Sequence, residues 1–230
     1  MTRAPVHPRA AMAAVRGATL ALALASMMPM HARADRGEAT LALRPTLGTA
    51  TLWETGTDES ATVRSRGLTA SASLGVRDWL DLGAELVASN LGEASYAWAT
   101  MPIAADPLSG PLRRATNLRQ LRGTATVRLG VVWVPFIQLA LGLGTRFRSE
   151  ALLYVPTAQG DRWVATDAPR EVTLDVVAGV RAGLERRLTV HWTAGVSAAV
   201  AQSVGVFRPD VRTSDVTVSL SYSWYPLLAP

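Results

Sequence analysis

Leu68-Thr-Ala-Ser-Ala-Ser-Leu-Gly-Val-Arg77 is the stretch from which the fold is read. Leu68, Ala70, Ala72, Leu74 and Val76 fall on one side of an extended chain, and Thr69, Ser71, Ser73, Gly75 and Arg77 on the other. Successive side chains of a β-strand leave opposite faces, so this period of two predicts a strand with one apolar and one polar face.

The same alternation recurs on both sides of it. Ala39, Leu41, Leu43, Pro45 and Leu47 stand opposite Arg44 and small residues; Leu80, Leu82, Ala84 and Leu86 stand opposite Asp81, Gly83 and Glu85. Ala125, Val127, Leu129, Val131 and Trp133 face away from Thr124, Thr126 and Arg128, and Ile137, Leu139, Leu141, Leu143 and Phe147 away from Gln138, Arg146 and Arg148. Val172 to Leu184 alternates with Glu171, Asp175, Arg181 and Glu185; Leu188 to Ala198 with Thr189, His191 and Ser197; Val216 to Trp224 with Thr217, Ser219 and Ser221. This predicts eight strands in all.

The connections alternate in length. Tight turns are expected at Arg77-Asp78-Trp79, Val134-Pro135-Phe136 and Glu185-Arg186-Arg187, each keeping the apolar residues of both strands on one face. Long polar or Pro/Gly-rich loops are expected at Thr55–Arg66, Asn90–Asn117, Ser149–Arg170 and Gln202–Ser214. Short turns at one end and long loops at the other predict an all-β, eight-stranded antiparallel up-and-down transmembrane β-barrel.

Residues 1–34 are expected to be a signal peptide, leaving 35–230 as the barrel. Arg3, Arg9 and Arg16 precede the apolar run Ala18–Met28, Pro29 breaks it, and Ala32-Arg33-Ala34 provides a small-residue cleavage site. The run is too short for a helix that spans a bilayer, which needs about 20 apolar residues. The formal charge of +5 is concentrated here: without the four arginines of this segment, 19 basic residues face 18 acidic ones. The basic balance therefore does not mark a nucleic-acid binder. Cysteine is absent and only three histidines occur, which excludes disulfides and a zinc site built on these residues.

Three features place the apolar face against lipid rather than inside a soluble barrel. The polar face mixes Gly, Ser and Thr with Arg, Asp and Glu, so small residues leave room for large charged ones in a narrow lumen. Five outward residues on a strand tilted near 45° cover about 24 Å, close to the height of the apolar band of such barrels. Aromatic residues gather at strand ends: Trp53, Tyr96 and Phe147 toward the long loops, and Trp79, Trp133, Phe136 and Trp224 toward the turns.

The final segment, Val216-Thr-Val-Ser-Leu-Ser-Tyr-Ser-Trp224, resembles the terminal strand signal of outer-membrane barrels, although Tyr225–Pro230 follows the aromatic at which that signal normally stops. In strand count, turn alternation and ending, residues 38–225 resemble the small OmpA/OmpX-type barrels. The resemblance implies that fold, a bacterial outer-membrane address and handling by the barrel-assembly machinery. Function does not follow from it.

The expected lumenal charges are Arg44, Arg77, Asp81, Glu85, Arg122, Arg128, Arg146, Arg148, Glu171, Asp175, Arg181 and Glu185, with His191 among them. Pairing is required because an unpaired buried charge is costly, and an eight-stranded lumen holds side chains and little else. Tyr96, Trp98, Arg113 and Arg114 are expected as loop contacts for a partner or for lipopolysaccharide. The expected function is structural or loop-mediated binding at the outer membrane, with its lipid and lipopolysaccharide as partners and no catalysis, cofactor or metal. Two alternatives remain open: a lipid-modifying enzyme using His191, for which Ser197 on the same face lies roughly 20 Å along the strand and too far to pair, and a soluble periplasmic barrel that binds an apolar ligand.

Overall fold

The computed structural model describes residues 36–54, 59–103, 106–130, 132–155, 160, 162–205 and 208–225. The predicted signal peptide, residues 1–34, lies outside them. Ten strands follow in order: β1 (Ala39–Trp53), β2 (Ser60–Arg77), β3 (Leu80–Ile103), β4 (Asp106–Arg128), β5 (Trp133–Arg148), β6 (Leu152–Val155), β7 (Arg162–Ala165), β8 (Glu171–Arg187), β9 (Trp192–Gly205) and β10 (Arg208–Trp224). The eight long strands pair antiparallel with their neighbours, and β1 closes the ring on β10 from Ala39↔Trp224 to Leu52↔Val211. The short β6–β7 hairpin is additional and attaches to β4 through Leu112↔Leu153 and Arg113↔Leu152.

Register fixes the barrel's shape. Pairing followed from Ala39 through Leu74, Leu82, Ala125, Leu139, Val180, Val200 and Ser214 returns to β1 at Thr49, ten residues beyond its start. With eight strands, that stagger corresponds to a tilt of roughly 43° and a lumen just wide enough to be filled by side chains.

The facing follows the period of two. Leu43, Leu47, Leu86, Leu121, Leu141 and Val216 point outward, with Leu47 70% exposed and Leu141 65%. Arg44, Glu85, Arg146, Asp175 and Arg181 point inward and are buried. A soluble barrel with an apolar interior would show the reverse, so the lipid-facing expectation holds and the soluble apolar-ligand barrel does not.

The strands are longer than the sequence suggested, and most of the expected long loops are strand. Above the apolar band the hydropathic pattern inverts, because the outer face meets water there and the inner face meets protein. On β2 the outward residues change from Leu68 to Arg66 and Arg64; on β4 they change from Leu121 to Arg119 and Asn117, while Leu112 and Leu118 turn inward. Within β3, two bulges break the period as well. Asn90 pairs with Asn117 and Glu93 with Ala115, so Leu91 and Gly92 stand opposite one residue; Gly92 takes φ +70° and donates its N–H to Asn90 Oδ1 at 2.7 Å. A second bulge sets Ala97 and Trp98 opposite Pro111. The inward set passes from Glu85, Val87 and Leu91 to Ala94 and Tyr96, then to Ala99 and Met101.

Two of the three tight turns are displaced. The β4–β5 connection lies between Arg128 and Trp133 rather than at Val134-Pro135-Phe136: Gly130 supplies a left-handed residue with φ +100°, and Leu129 N donates to Pro135 O at 3.0 Å. Phe136 consequently lies inside the barrel and not in an interfacial belt, as does Tyr96 in the bulged segment of β3. The β8–β9 connection is Leu188–His191 rather than Glu185–Arg187. There Thr189 Oγ1 accepts from the N–H of His191 (3.2 Å) and of Trp192 (3.0 Å), a side-chain turn that ends the strand.

Candidate functional site

The lumen is built in layers, each of them charge-paired. Nearest the short turns, Arg187 reaches Glu38 at 3.1 Å, and Arg128 lies between Asp81 (3.0 Å) and Glu185 (3.9 Å). In the middle, Glu85 on β3 accepts from Arg44 on β1 (3.1 Å) and from Arg181 on β8 (2.5 Å). Arg44 also donates to Ser71 at 2.7 Å, and Arg181 to Gln138 Oε1 at 2.6 Å. Beside them Arg146 donates through Nε to Asp175 at 2.9 Å, while Arg122 donates to Gln120, whose amide donates to Ser203 at 3.0 Å. Ser65 donates to Asp215 at 2.9 Å.

The outermost polar layer ties the loops to the barrel. Glu54 accepts from Arg148 at 3.0 Å and from Arg114 at 3.1 Å. Arg114 also donates to the carbonyls of Ser149 (2.9 Å) and Pro169 (3.1 Å), which pins both ends of the β5–β8 connection, and lies 3.6 Å from Glu171. Packed around this layer is an apolar cluster that includes Leu52, Leu91, Tyr96, Leu112, Leu118, Leu153 and Val211. Leu112 and Leu153 are fully buried, so the β6–β7 hairpin closes over the mouth through the Leu112↔Leu153 pair. Burial, and then the nearby Glu54 carboxylate, push the Tyr96 hydroxyl up to about 12, so this phenol stays neutral.

Among the described residues, eight arginines (44, 114, 122, 128, 146, 148, 181 and 187) face eight carboxylates inside the barrel (Glu38, Glu54, Asp81, Glu85, Glu171, Asp175, Glu185 and Asp215). Equal numbers of opposite charges, each within a hydrogen-bonded layer, limit the desolvation penalty of placing so many ions in a narrow lumen.

Of the expected lumenal set, Arg77 and His191 lie elsewhere. Arg77 is exposed at the end of β2, where the register shifts between Gly75 and Arg77. His191 is exposed in the β8–β9 turn, with Nδ1 2.9 Å from Ser223 O and its ring tilted against that of Tyr222, centroids 5.5 Å apart. Ser197 is buried on the inner face against Thr217, apart from the exposed His191. Of the expected loop contacts, Tyr96 and Arg114 are buried in the mouth. Trp98 is 62% exposed, and Arg113 is half exposed, over the Trp163 ring at 4.3 Å and 3.5 Å from Glu93.

Glu38, Glu54, Asp215 and Arg187 belong to the network although sequence reading did not place them there. The signal was parity: Glu38 and Glu54 continue the inward phase of Arg44, and Asp215 that of Thr217. Among the described residues no group of three or more His, Cys, Asp or Glu is placed to hold a metal ion.

No family model matches the chain, and no curated protein does. Solved structures match it along most of its length. Neisserial surface protein A (NspA) has a TM-score of 0.55 at 9% identity, covering 82% of this chain and 97% of that one. Ail, the attachment invasion locus protein of Yersinia pestis, has 0.47 at 10% identity, covering 82% and 99%; the outer membrane protein OprG of Pseudomonas aeruginosa has 0.39 at 11%, covering 83% and 97%. At such identities the likeness is one of fold. With the closed ring, the outward apolar band and the paired lumen, it makes this chain an eight-stranded antiparallel transmembrane β-barrel of the architecture seen in small outer-membrane proteins.

Proposed function

We propose that the protein resides in the bacterial outer membrane as a closed barrel, and that its work is done by the strand extensions at its loop end. The observation that carries this is the occupied interior: among the described residues, eight arginines and eight carboxylates lie in the lumen, with an apolar cluster packed at its loop end. Among the described residues the lumenal arginines and carboxylates are engaged mainly with one another and with neighbouring polar side chains, whereas the extensions present Trp98, Arg113 and Trp163 at the loop end. A structural and surface-binding role fits this division, and the signal peptide expected over residues 1–34 fits the address.

Planar-bilayer recording tests the reading. The full chain is expected to insert with heat-modifiable gel mobility and to give no large steady openings. Stable conductance in most insertions would refute a closed lumen and point to a transport role.

A further inference from the structure

The outer surface over β2, β3, β4 and β5 carries a feature that the closed lumen does not explain. A groove of about 530 Å³ runs there through the apolar band, lined by Leu68, Ala70, Leu86, Leu121, Leu143 and Leu174. It is a groove because Ala70 and Ala88 are short beside their cross-strand partners Leu86 and Leu68. Toward the loop end it continues into a second, polar depression lined by Arg66, Asn90, Asn117, Arg119 and Phe147; Leu68, Ala88 and Arg119 line both. Arg66, Asn90 and Asn117 form one row across three strands through the pairs Arg66↔Asn90 and Asn90↔Asn117. This is the level at which outward residues change from apolar to polar, the zone where lipid headgroups meet the protein.

The lumenal arginines are held within the paired layers described above. Arg66 and Arg119 are exposed and have no carboxylate partner among the described residues; Arg119 rests over the Phe147 ring at 5.3 Å. Two cations left unpaired directly above an apolar groove are complementary to a molecule with an anionic head and several chains. Their strands lie two places apart in the sheet, and Arg119 stands two residues from the row that contains Arg66. Strand spacing then puts their Cα atoms roughly 12 Å apart. That separation suits two phosphates at opposite ends of a disaccharide better than the single phosphate of a glycerophospholipid.

We propose that this outer face binds one diphosphorylated, multiply acylated saccharolipid, the lipid A part of lipopolysaccharide. One phosphate lies at Arg66 and one at Arg119, and acyl chains lie in the groove beneath. The proposal rests on the outer-membrane reading above and names the lipid that this surface recognises.

Native mass spectrometry of the detergent-solubilised full chain tests it, with hexa-acylated diphosphoryl lipid A, its monophosphoryl form and phosphatidylglycerol as probes. The wild type is expected to bind one diphosphoryl lipid A. Arg66→Ser and Arg119→Ser are each expected to weaken binding about tenfold, as expected for loss of a charge-assisted hydrogen bond. The monophosphoryl form is expected to respond to only one of the two arginines. Ala70→Leu, which fills the apolar groove and lies outside the polar depression, is expected to weaken all acylated probes, and Arg212→Ser, remote from the groove, none. Phosphatidylglycerol bound as tightly as lipid A, or lipid A binding unchanged in the Arg66→Ser/Arg119→Ser double variant, would overturn the site. Heat-modifiable mobility separates the two levels: its absence in the wild type overturns the barrel reading as well, whereas its presence with no lipid discrimination overturns the site alone.

Discussion

Arg114 on β4 and Glu54 at the end of β1 meet 3.1 Å apart across the mouth of the barrel, although β2 and β3 separate their strands in the ring. The pair is buried, and the same guanidinium holds the backbone at Ser149 and Pro169. One side chain therefore fastens the β5–β8 connection to the far wall.

Removing it should loosen that connection and leave the ring intact. Arg114→Ala is expected to retain heat-modifiable mobility while trypsin cleavage at Arg162 or Arg170 in intact cells accelerates several-fold. Arg186, exposed beside the turn at the opposite end, should stay protected in wild type and variant alike. Cleavage at Arg186 with Arg162 and Arg170 spared would invert the orientation.

Glu85 balances two arginines, Arg44 and Arg181, in the middle of the lumen. Glu85→Ala leaves both facing each other without the carboxylate they share. By comparison with other broken buried ion pairs, it should destabilise the barrel by about 3–5 kcal/mol. Urea unfolding in lipid vesicles measures this, and the double variant Glu85→Ala/Arg181→Ala should recover part of the loss. No recovery would mean that packing, not charge, is what Glu85 supplies.

Leu141 and Gly142 are neighbours on opposite faces of β5. Leu141→Arg places a charge in lipid near mid-span and is expected to cost about 2–4 kcal/mol. Gly142→Leu should fail for a different reason: a Cβ there would come within 2.0 Å of Leu121 O and 2.6 Å of Arg122 Cα, so the strands themselves would have to part. Folding yields of both variants in vesicles decide the facing; wild-type yields for both would reverse it.

His191→Gln is expected to fold, insert and leave the host's lipid A acylation unchanged by mass spectrometry, since the imidazole is exposed in a turn and its Nδ1 is engaged with Ser223 O. Loss of an acyl modification in a heat-modifiable variant would revive the enzyme.

Period two, in a chain whose polar face is Gly, Ser and Thr mixed with charge, was enough to read the barrel, its strand number and which side of Leu68–Arg77 meets lipid. Those properties are local: each residue's face depends only on its parity within the strand. The pattern failed where its physical cause changed. At Arg66 and Arg119 the outer face leaves the bilayer and the alternation reverses, so long strands read as loops; at Gly92 and Trp98 bulges reset the parity; at Leu188–His191 a turn closed by the Thr189 hydroxyl kept the alternation of a strand. Partnership could not be read at all. Parity sends Glu85, Arg44 and Arg181 inward, but only the ten-residue stagger around the closed ring brings them to one level, and only closure brings Glu54 within reach of Arg114 and Arg148. Facing is a property of one strand, whereas ion pairing across a lumen is a property of the circle that all eight strands complete.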